Sequence, residues 1–251
     1  MKSMLALVVG LATVAAACSS GGLDTSTAPR SKPSPLSTVA DSMAPAPLQT
    51  PATRPHFQST IARIPPALAS RMRGTTWRRG CPVPIRDLRL LTLSYWGFDG
   101  AVQRGPMVVN ASVAGDVVWV FHRLYRARFP IKRMALTHRY RPRHDHPNTR
   151  KSFTASFNCR VVVTPSGPGT TLSMHSYGLA IDINPLQNPF VAADGHTRNR
   201  FARPYVDRTK HLPGMIHHGD VVVRAFEHIG WKWGGNWSGD KDYMHFSVNG
   251  R

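Results

Sequence analysis

The residues best suited to chemistry lie in one window, which runs from Ser173 to Pro185. Within it His175 stands seven residues before Asp182, with Gly178 between them, so a loop histidine and a strand carboxylate can converge on one point. The aspartate interrupts a hydrophobic stretch, where an unpaired carboxylate is costly. A bound metal ion is one reason to hold it there, and hydrogen bonds from backbone amides are the alternative.

A second window, from Gly230 to Trp237, is rich in tryptophan and glycine and is followed by Asp242 and His245. A zinc hydrolase needs three protein ligands, an open position for water, and a carboxylate that takes the proton of that water without binding the metal. Asp242 fits the role of this base. The expected ligands of Zn²⁺ are three residues from the two windows: His175, Asp182 and His245.

The spacing of these residues resembles that of a known family. The pattern Ser-x-His-x-x-Gly-x-Ala-x-Asp, followed near the C-terminus by Asp-x-x-His, is similar to zinc peptidases that cut peptidoglycan peptides, namely D-alanyl-D-alanine carboxypeptidases and dipeptidases and L-alanyl-D-glutamate endopeptidases. The chain looks most like the VanY-like branch, over residues 80–251. Further matching segments are Phe98-Asp99-Gly100, Phe129-Pro130-Ile131, Ser156 to Arg160, Asn184-Pro185, Asn188-Pro189 and Gly230 to Gly235.

The resemblance implies the hedgehog/DD-peptidase fold, an α+β single domain with a small, mostly antiparallel sheet and flanking helices. It implies one catalytic Zn²⁺ held by the same three ligands, with Asp242 as the general base. By the same resemblance Arg160 binds the carbonyl oxygen as it gains charge, a role that suits a fixed guanidinium. A surface arginine on a strand is the alternative for this residue. The resemblance also makes Ser173 a candidate for holding the substrate.

The choice of peptide bond depends on one methylene group. Dipeptidase relatives have glutamate where this chain has Asp242, and aspartate looks more like the endopeptidase members. We expect an exported zinc metallopeptidase that hydrolyses D-amino-acid-containing peptides of peptidoglycan, in the manner of a D-alanyl-D-alanine carboxypeptidase. The alternatives are an L-alanyl-D-glutamate endopeptidase acting on the same wall peptides, or a catalytically silent wall-binding protein of the same fold.

Patterns of apolar residues predict the elements that must position this site, in a domain over residues 57–251. Helices are predicted over Ile61–Met72, Val113–Arg128 and Asp220–Ile229. Strands are predicted over Leu88–Tyr95, Ile131–Thr137, Phe157–Val163, Leu179–Ile183 and Phe246–Val248. The basic stretch 138–152 is predicted to be a loop.

The N-terminal segment is typical of export. An apolar run from Met4 to Ala17 is short for a bilayer core of ~30 Å, so residues 1–17 are predicted to be a signal peptide. Cys18 follows small residues, as in the lipobox of bacterial lipoproteins, and we expect it to be lipidated. Ordinary secretion is the alternative. Residues 18–56 are rich in Ser, Thr, Pro and Ala, which predicts a disordered tether that holds the domain at the outer face of the membrane.

The chain has three cysteines. Once Cys18 is assigned to lipid, Cys81 and Cys159 remain as one pair in a compartment that permits disulfides. We expect them to be bonded, and two unrelated buried thiols are the alternative. Because Cys159 directly precedes Arg160, the bond would fix the strand that aims this guanidinium.

A net charge of +19, with 25 arginines among 32 basic residues, predicts anionic surroundings. Outside the cell these are cell-wall polymers or anionic lipid, in addition to the peptidoglycan stem peptides expected as substrate. Nucleic acid is not an expected partner, because the chain has neither zinc-finger spacing nor an RNA-binding motif with interleaved aromatic residues. We expect a monomer.

Overall fold

The computed structural model describes residues 55–137, 153–164 and 167–251 of the chain. The expected signal peptide, Cys18, all but the last two residues of the tether, and the basic stretch 138–152 lie outside these residues, so the expectations about them stay predictions. In the described part of the chain, no helix combines the length and the apolar character needed to cross a membrane.

Within these ranges the chain forms short strands and helices in a mixed order. The strands are β1 (Ser59–Arg63), β2 (Leu88–Trp96), β3 (Val102–Asn110), β4 (Val161–Thr164), β5 (Gly167–Leu172), β6 (Ala180–Asp182), β7 (Phe190–Val191), β8 (Lys232–Trp233), β9 (Lys241–Asp242) and β10 (His245–Ser247). The α-helices are α1 (Pro66–Met72), α2 (Ala114–Arg126) and α3 (Val221–His228).

The first sheet joins β1, β2 and β3 in that order, with antiparallel neighbours. One of its faces packs against α2, whose buried residues recur every three or four positions and so form one apolar side of the helix. The residues that meet in this part of the core are Leu91, Leu93, Met107 and Val109 of the sheet and Val117, Val120, Phe121 and Leu124 of the helix.

The opposite face of the first sheet packs against α1 and a disulfide. Leu88 and Val108 of the sheet share a buried cluster with Met72 of α1 and with Cys159. The structure contains the predicted bond between Cys81 and Cys159, whose Cα atoms lie 6.0 Å apart. This bond joins the chain that follows α1 to the segment that leads into Arg160.

The second sheet has the order β6-β10-β8, again antiparallel. Its central strand contributes Phe246, which is fully buried and stacks on Phe226 of α3 with ring centroids 4.2 Å apart. The helix begins at Asp220, whose side chain accepts hydrogen bonds from the amides of Val222 and Val223. Two further strand pairs, β4 with β5 and β7 with β9, complete the α+β domain.

The α+β class is confirmed, but several predicted elements have other bounds. The helix predicted over Ile61–Met72 is wrong in its first half, because residues 59–63 pair with β2 and the helix starts only at Pro66. A proline is favoured in the first turn of a helix and disfavoured further in, so this start is the one that the sequence permits.

Two predicted strands also differ. Residues 131–137 form no strand and make only an isolated bridge, between Met134 and Thr154. The strand predicted over Phe157–Val163 is regular only from Val161, because the extended residues before it bond to other partners. Phe157 N donates to Val108 O, and Cys159 N donates to Thr76 O.

Candidate active site

His175 lies in a short 3-10 turn, Met174–Tyr177, that precedes β6. Gly178 ends this turn with φ +68°, and a Cβ atom there would lie 2.6 Å from the backbone nitrogen of Asn110. The same nitrogen donates to Gly178 O at 3.0 Å. Only glycine adopts this conformation at so close an approach without strain. The end of β3 therefore fixes the turn that holds His175.

Asp182 and His245 occupy facing positions in the second sheet. They are directly opposite each other in the antiparallel register of β6 and β10, so both side chains leave the same face. Asp182 Oδ1 lies 3.2 Å from His245 Nδ1 and 3.2 Å from His175 Nε2. The structure thus brings together the three residues predicted as ligands, with their ligand atoms within 4.8 Å of one another.

The hydrogen bonds of His175 are compatible with a metal ion between these residues. Its Nδ1 lies 2.7 Å from Ser156 O and must donate to it, which leaves Nε2 as the unprotonated atom of a neutral ring. Burial lowers the pKa of His175, although Asp182 opposes the shift, so the neutral ring is favoured. Two electron-pair donors, Nε2 and the Asp182 carboxylate, then face each other.

The pKa values of the other two residues follow from the charges and hydrogen bonds that the three side chains share. Burial alone would raise the pKa of Asp182, but His175 and His245 hold it well below its usual range, so the carboxylate is ionised. Burial would lower the pKa of His245, but the hydrogen bond to Asp182 and the charges of Asp182 and Asp242 raise it overall. Two imidazoles and one carboxylate form a donor set that suits Zn²⁺, with bonds of roughly 2.0–2.2 Å.

The 3.2 Å separations between Asp182 Oδ1 and the two histidine nitrogens also suit ligands of one zinc ion. Two ligand atoms on a tetrahedral ion with such bonds are about 3.3–3.5 Å apart. In the part of the chain that the structure describes, this is the one group of three or more potential ligand residues. His217 and His218 belong to no such group there.

Asp242 is placed beside this group by β9 and by a crowded glycine. β9 pairs with β7, so that Asp242 lies opposite Phe190. A Cβ atom on Gly234 would lie 2.5 Å from Asp242 O and 2.9 Å from its Cβ, so glycine is what allows this approach. Trp233 Nε1 donates to the next carbonyl along, Tyr243 O, at 2.8 Å.

The carboxylate of Asp242 is free to take a proton. Its Oδ1 is buried and has no hydrogen-bond partner among residues 55–137, 153–164 and 167–251. Burial raises the pKa of this group to about 7, although the charge of His245 opposes the shift. A buried carboxylate with an unused oxygen and a raised pKa is suited to general-base chemistry near neutral pH.

Arg160 lies close enough for its charge to lower the pKa of His175 and of Asp242, after the larger effects of burial and of nearer groups. Its backbone is held by Ser176, whose fully buried hydroxyl donates to Arg160 O at 2.6 Å and accepts from Arg160 N at 2.8 Å. The guanidinium donates to Val161 O at 3.1 Å. Arg160 O also accepts from Ser173 N at 3.0 Å. Arg160 is therefore a neighbour of the ligand group, on a backbone that two serines hold.

Ser173 is buried, and its Oγ accepts from His175 N at 3.3 Å, which caps the turn. The contact that the structure shows for this hydroxyl is thus with the turn, and its role toward a substrate stays a prediction.

Sequence reasoning missed several supporting residues because their contacts are made by backbone atoms or from distant loops. Ser156 holds His175 through its carbonyl, and Ser176 holds Arg160. Arg208 donates to Gln187 O and to Asn188 Oδ1, and its guanidinium lies 4.4 Å from the centre of the Tyr243 ring. The asparagine-proline pairs at 184–189 were the one sequence signal for this last network.

The geometry agrees with a comparison of sequences. Residues 166–248, about a third of the chain, match the family model of D-alanyl-D-alanine carboxypeptidase. The matched segment contains the three expected ligands and Asp242, whereas Arg160 lies before it. The match supports a hydrolase of this peptidase type, with peptidoglycan as the general target. No curated protein and no solved structure shows a significant match to the chain.

Proposed function

We propose that this protein is an exported zinc peptidase of the VanY-like type that removes D-alanine from the stem peptides of peptidoglycan. The observation that carries the proposal is the convergence of His175, Asp182 and His245 beside Asp242, within the segment that matches a carboxypeptidase family. The unused buried Oδ1 of Asp242 supports hydrolysis over mere binding, because a metal-binding module has no need of a free base.

His175, Asp182 and His245 would hold the Zn²⁺ ion, which would supply Lewis acidity toward the scissile carbonyl and make the attacking water more acidic. Asp242 accepts the proton of that water, because its free oxygen is available and its pKa lies near neutral. The same carboxyl group can then give the proton to the departing amine, which must be neutralised before the product leaves.

Arg160 has a different task in the proposal. The carbonyl oxygen gains negative charge as water adds, and a guanidinium held in place before the reaction stabilises that charge without having to reorganise. The Ser176 hydroxyl and the Cys81–Cys159 bond together fix the backbone from which this side chain extends.

A second activity is favoured by one observation. Asp242 is one methylene shorter than the glutamate of dipeptidase relatives. Aspartate at this position is more like the endopeptidase members. An L-alanyl-D-glutamate endopeptidase acting on the same stem peptides is therefore the runner-up.

The disulfide supports the exported location, because such bonds persist in oxidising compartments. With lipidation of Cys18, the tether would place the peptidase at the outer face of the membrane, within reach of the wall.

The test is mass spectrometry of purified muropeptides after incubation with the full chain and added Zn²⁺. We expect the loss of one alanine mass. Separation of the stem at its first L-alanine would assign the endopeptidase instead, and loss of a dipeptide would assign a dipeptidase. Asp242→Asn should greatly slow the loss of alanine, and Asp194→Asn, the same chemical change at an exposed aspartate, is its matched control. Unaltered muropeptides with a metal-loaded, folded chain would overturn the proposal.

A further inference from the structure

The arginines that the proposed chemistry does not use are concentrated in the first half of the domain. Residues 55–137 contain 13 basic and three acidic residues, whereas residues 153–251 contain ten and seven. Seven arginines fall between Arg63 and Arg89, with Asp87 as the one acid in that stretch. The excess charge therefore belongs to the region formed by β1, α1 and the start of β2.

The side chains of this region are exposed and largely unpaired. Arg63, Arg71, Arg73 and Arg79 are exposed and make no ion pair or side-chain hydrogen bond within the described ranges. The ion pair in this stretch joins Arg86 to Asp87 at 3.9 Å, with 84% and 55% of the two side chains exposed. A pair so exposed contributes little and leaves Arg86 available.

The register of the sheet places like charges together. Arg63 of β1 lies directly opposite Arg89 of β2, an arrangement that is destabilising unless an anion screens it. Arg89 Nη1 donates to the carbonyls of Arg86 and Leu88, at 2.9 Å each, so Arg63, Arg86 and Arg89 form a short row at one end of the sheet.

This row leads toward the candidate active site. Arg89 pairs with Val109 of β3, and the next residue, Asn110, bonds to the turn that holds His175. Two strand spacings, about 10 Å, separate β1 from β3. On the other side Arg78 donates to Cys159 O at 2.8 Å, next to Arg160. The basic region thus borders the site at two places.

We infer that this arginine surface, defined by Arg63, Arg71, Arg73, Arg79, Arg86 and Arg89, binds a linear phosphodiester polymer of the cell wall. The guanidinium groups suit phosphate, which they bind in a bidentate manner. Five of the six are exposed and Arg89 is half-buried, and they are spread along the chain from β1 to β2. They therefore match repeated charges along a chain and form no pocket for a single anion. The inference concerns binding and does not depend on whether the site hydrolyses peptides.

A membrane is the less suitable occupant. Binding at a lipid interface depends on an apolar face as well as on basic residues. On β1, α1 and β2, Ile61 is the one large apolar side chain in the described structure that is substantially exposed, at 50%. The surface therefore offers charge without the apolar contacts that would insert into lipid.

The experiment measures binding of the full chain to linear poly(glycerol phosphate) as a function of salt. The variant Arg63→Gln/Arg73→Gln/Arg79→Gln removes three charges from the arginine surface. The control, Arg203→Gln/Lys210→Gln/Lys232→Gln, removes three exposed charges from the second half. We expect the first variant to lower the slope of log Kd against log salt by about 2, at ~0.7 per lost phosphate contact, and to weaken binding at least about tenfold. The control should change neither quantity by a comparable amount.

Several results would overturn the inference. They are an equal loss in the control variant, displacement of the polymer by orthophosphate at equal phosphate concentration, or binding to phosphatidylglycerol vesicles without binding to the polymer. Asp242→Asn should bind the polymer as tightly as the unaltered chain. Polymer binding without any peptide hydrolysis by the unaltered chain would refute the proposed function and leave this inference standing.

Discussion

Both three-stranded sheets of the domain are antiparallel, but their strands differ greatly in length. β2 and β3 are nine residues each and pair along their whole length, whereas β6 and β10 are three residues each and β8 is two. The long hairpin carries none of the four residues expected at the metal and the base. The short strands carry Asp182 and His245, together with the aromatic residues that pack beneath them.

This difference in strand length separates the part of the domain that forms a rigid framework from the part that carries the reactive side chains. A long ladder fixes its own geometry through many backbone hydrogen bonds, and it needs no special side chains to do so. A three-residue strand has too few backbone hydrogen bonds to fix its own geometry. Contacts from other parts of the chain therefore hold each reactive side chain in place. His175 depends on Ser156 and on the end of β3, and Asp242 depends on Gly234 and β7.

The largest effect should come from removing a ligand in the short sheet. His245→Ala should lose the metal and all hydrolysis, because two remaining ligands hold Zn²⁺ poorly. Metal analysis of the purified variant measures this directly. His196→Ala, at an exposed histidine, is the control and should retain full metal content. Stoichiometric Zn²⁺ in His245→Ala would remove His245 from the ligand set.

Asp242→Asn, on β9 beside this sheet, should separate chemistry from metal binding. Asparagine preserves shape but cannot accept the proton, so we expect a loss of about 10²–10⁴-fold in kcat with unchanged metal content. Steady-state kinetics on a muropeptide substrate measures the loss. A fully active Asn variant would show that another group is the base.

The fall of kcat/KM at low pH should reflect the protonation of Asp242. Burial raises the pKa of Asp242 to about 7, and a bound cation would lower it from there. The base must be ionised, so kcat/KM should fall about tenfold per pH unit below a midpoint that lies at or under 7. An acid limb that persists unchanged in the residual activity of Asp242→Asn would assign the titration to a different group.

The disulfide tests how far the long sheet supports the site. Cys81→Ser/Cys159→Ser should lower the free energy of unfolding by about 2–4 kcal/mol, measured by denaturant titration. At temperatures where the variant remains folded, the rate of hydrolysis should fall only modestly, because Ser176 still holds the backbone of Arg160. Labelling of two thiols in denatured, unreduced protein would show that the bond is absent.

The smallest expected effect is the difference in stability between alanine variants of two glycines. Gly178 and Gly230 both have positive φ, at +68° and +78°, but only Gly178 faces a backbone atom within 4 Å. Each alanine substitution should cost about 1–2 kcal/mol for the left-handed conformation, and Gly178→Ala should cost more because it pushes against β3. Thermal melts measure both. Equal losses would mean that the contact with Asn110 adds nothing.

The site was more predictable from the sequence than the elements around it. His175, Asp182, Asp242 and His245 converge as expected, since their residue types are scarce in hydrophobic strands and have few other reasons to be there. The strand predicted over 131–137 was wrong, because apolar residues in a segment indicate burial and do not show whether its backbone hydrogen bonds form a continuous ladder, which here they do not. The helix predicted from Ile61 failed because pairing with β2 overrides local spacing.

The supporting residues could not have been predicted from spacing. Ser156 acts through a carbonyl oxygen, an atom that every residue possesses, so its identity carries no signal. Ser176 and Arg208 act on residues 16 to 35 positions away in sequence or in separate loops. Only the folded chain shows which of many serines and arginines have these neighbours.

The direct opposition of Asp182 and His245 has a consequence for the fidelity of folding. A pair of three-residue strands can slip by one position at little cost in backbone hydrogen bonds, and such a slip sends every side chain to the opposite face. A cation held by one residue from each strand discriminates between the two alignments, since only the native one presents both ligands together. In the proposed metal-bound form the ion would therefore stabilise the native alignment of β6 and β10. Its removal should then increase hydrogen exchange at the amides of these two strands before those of β2 and β3.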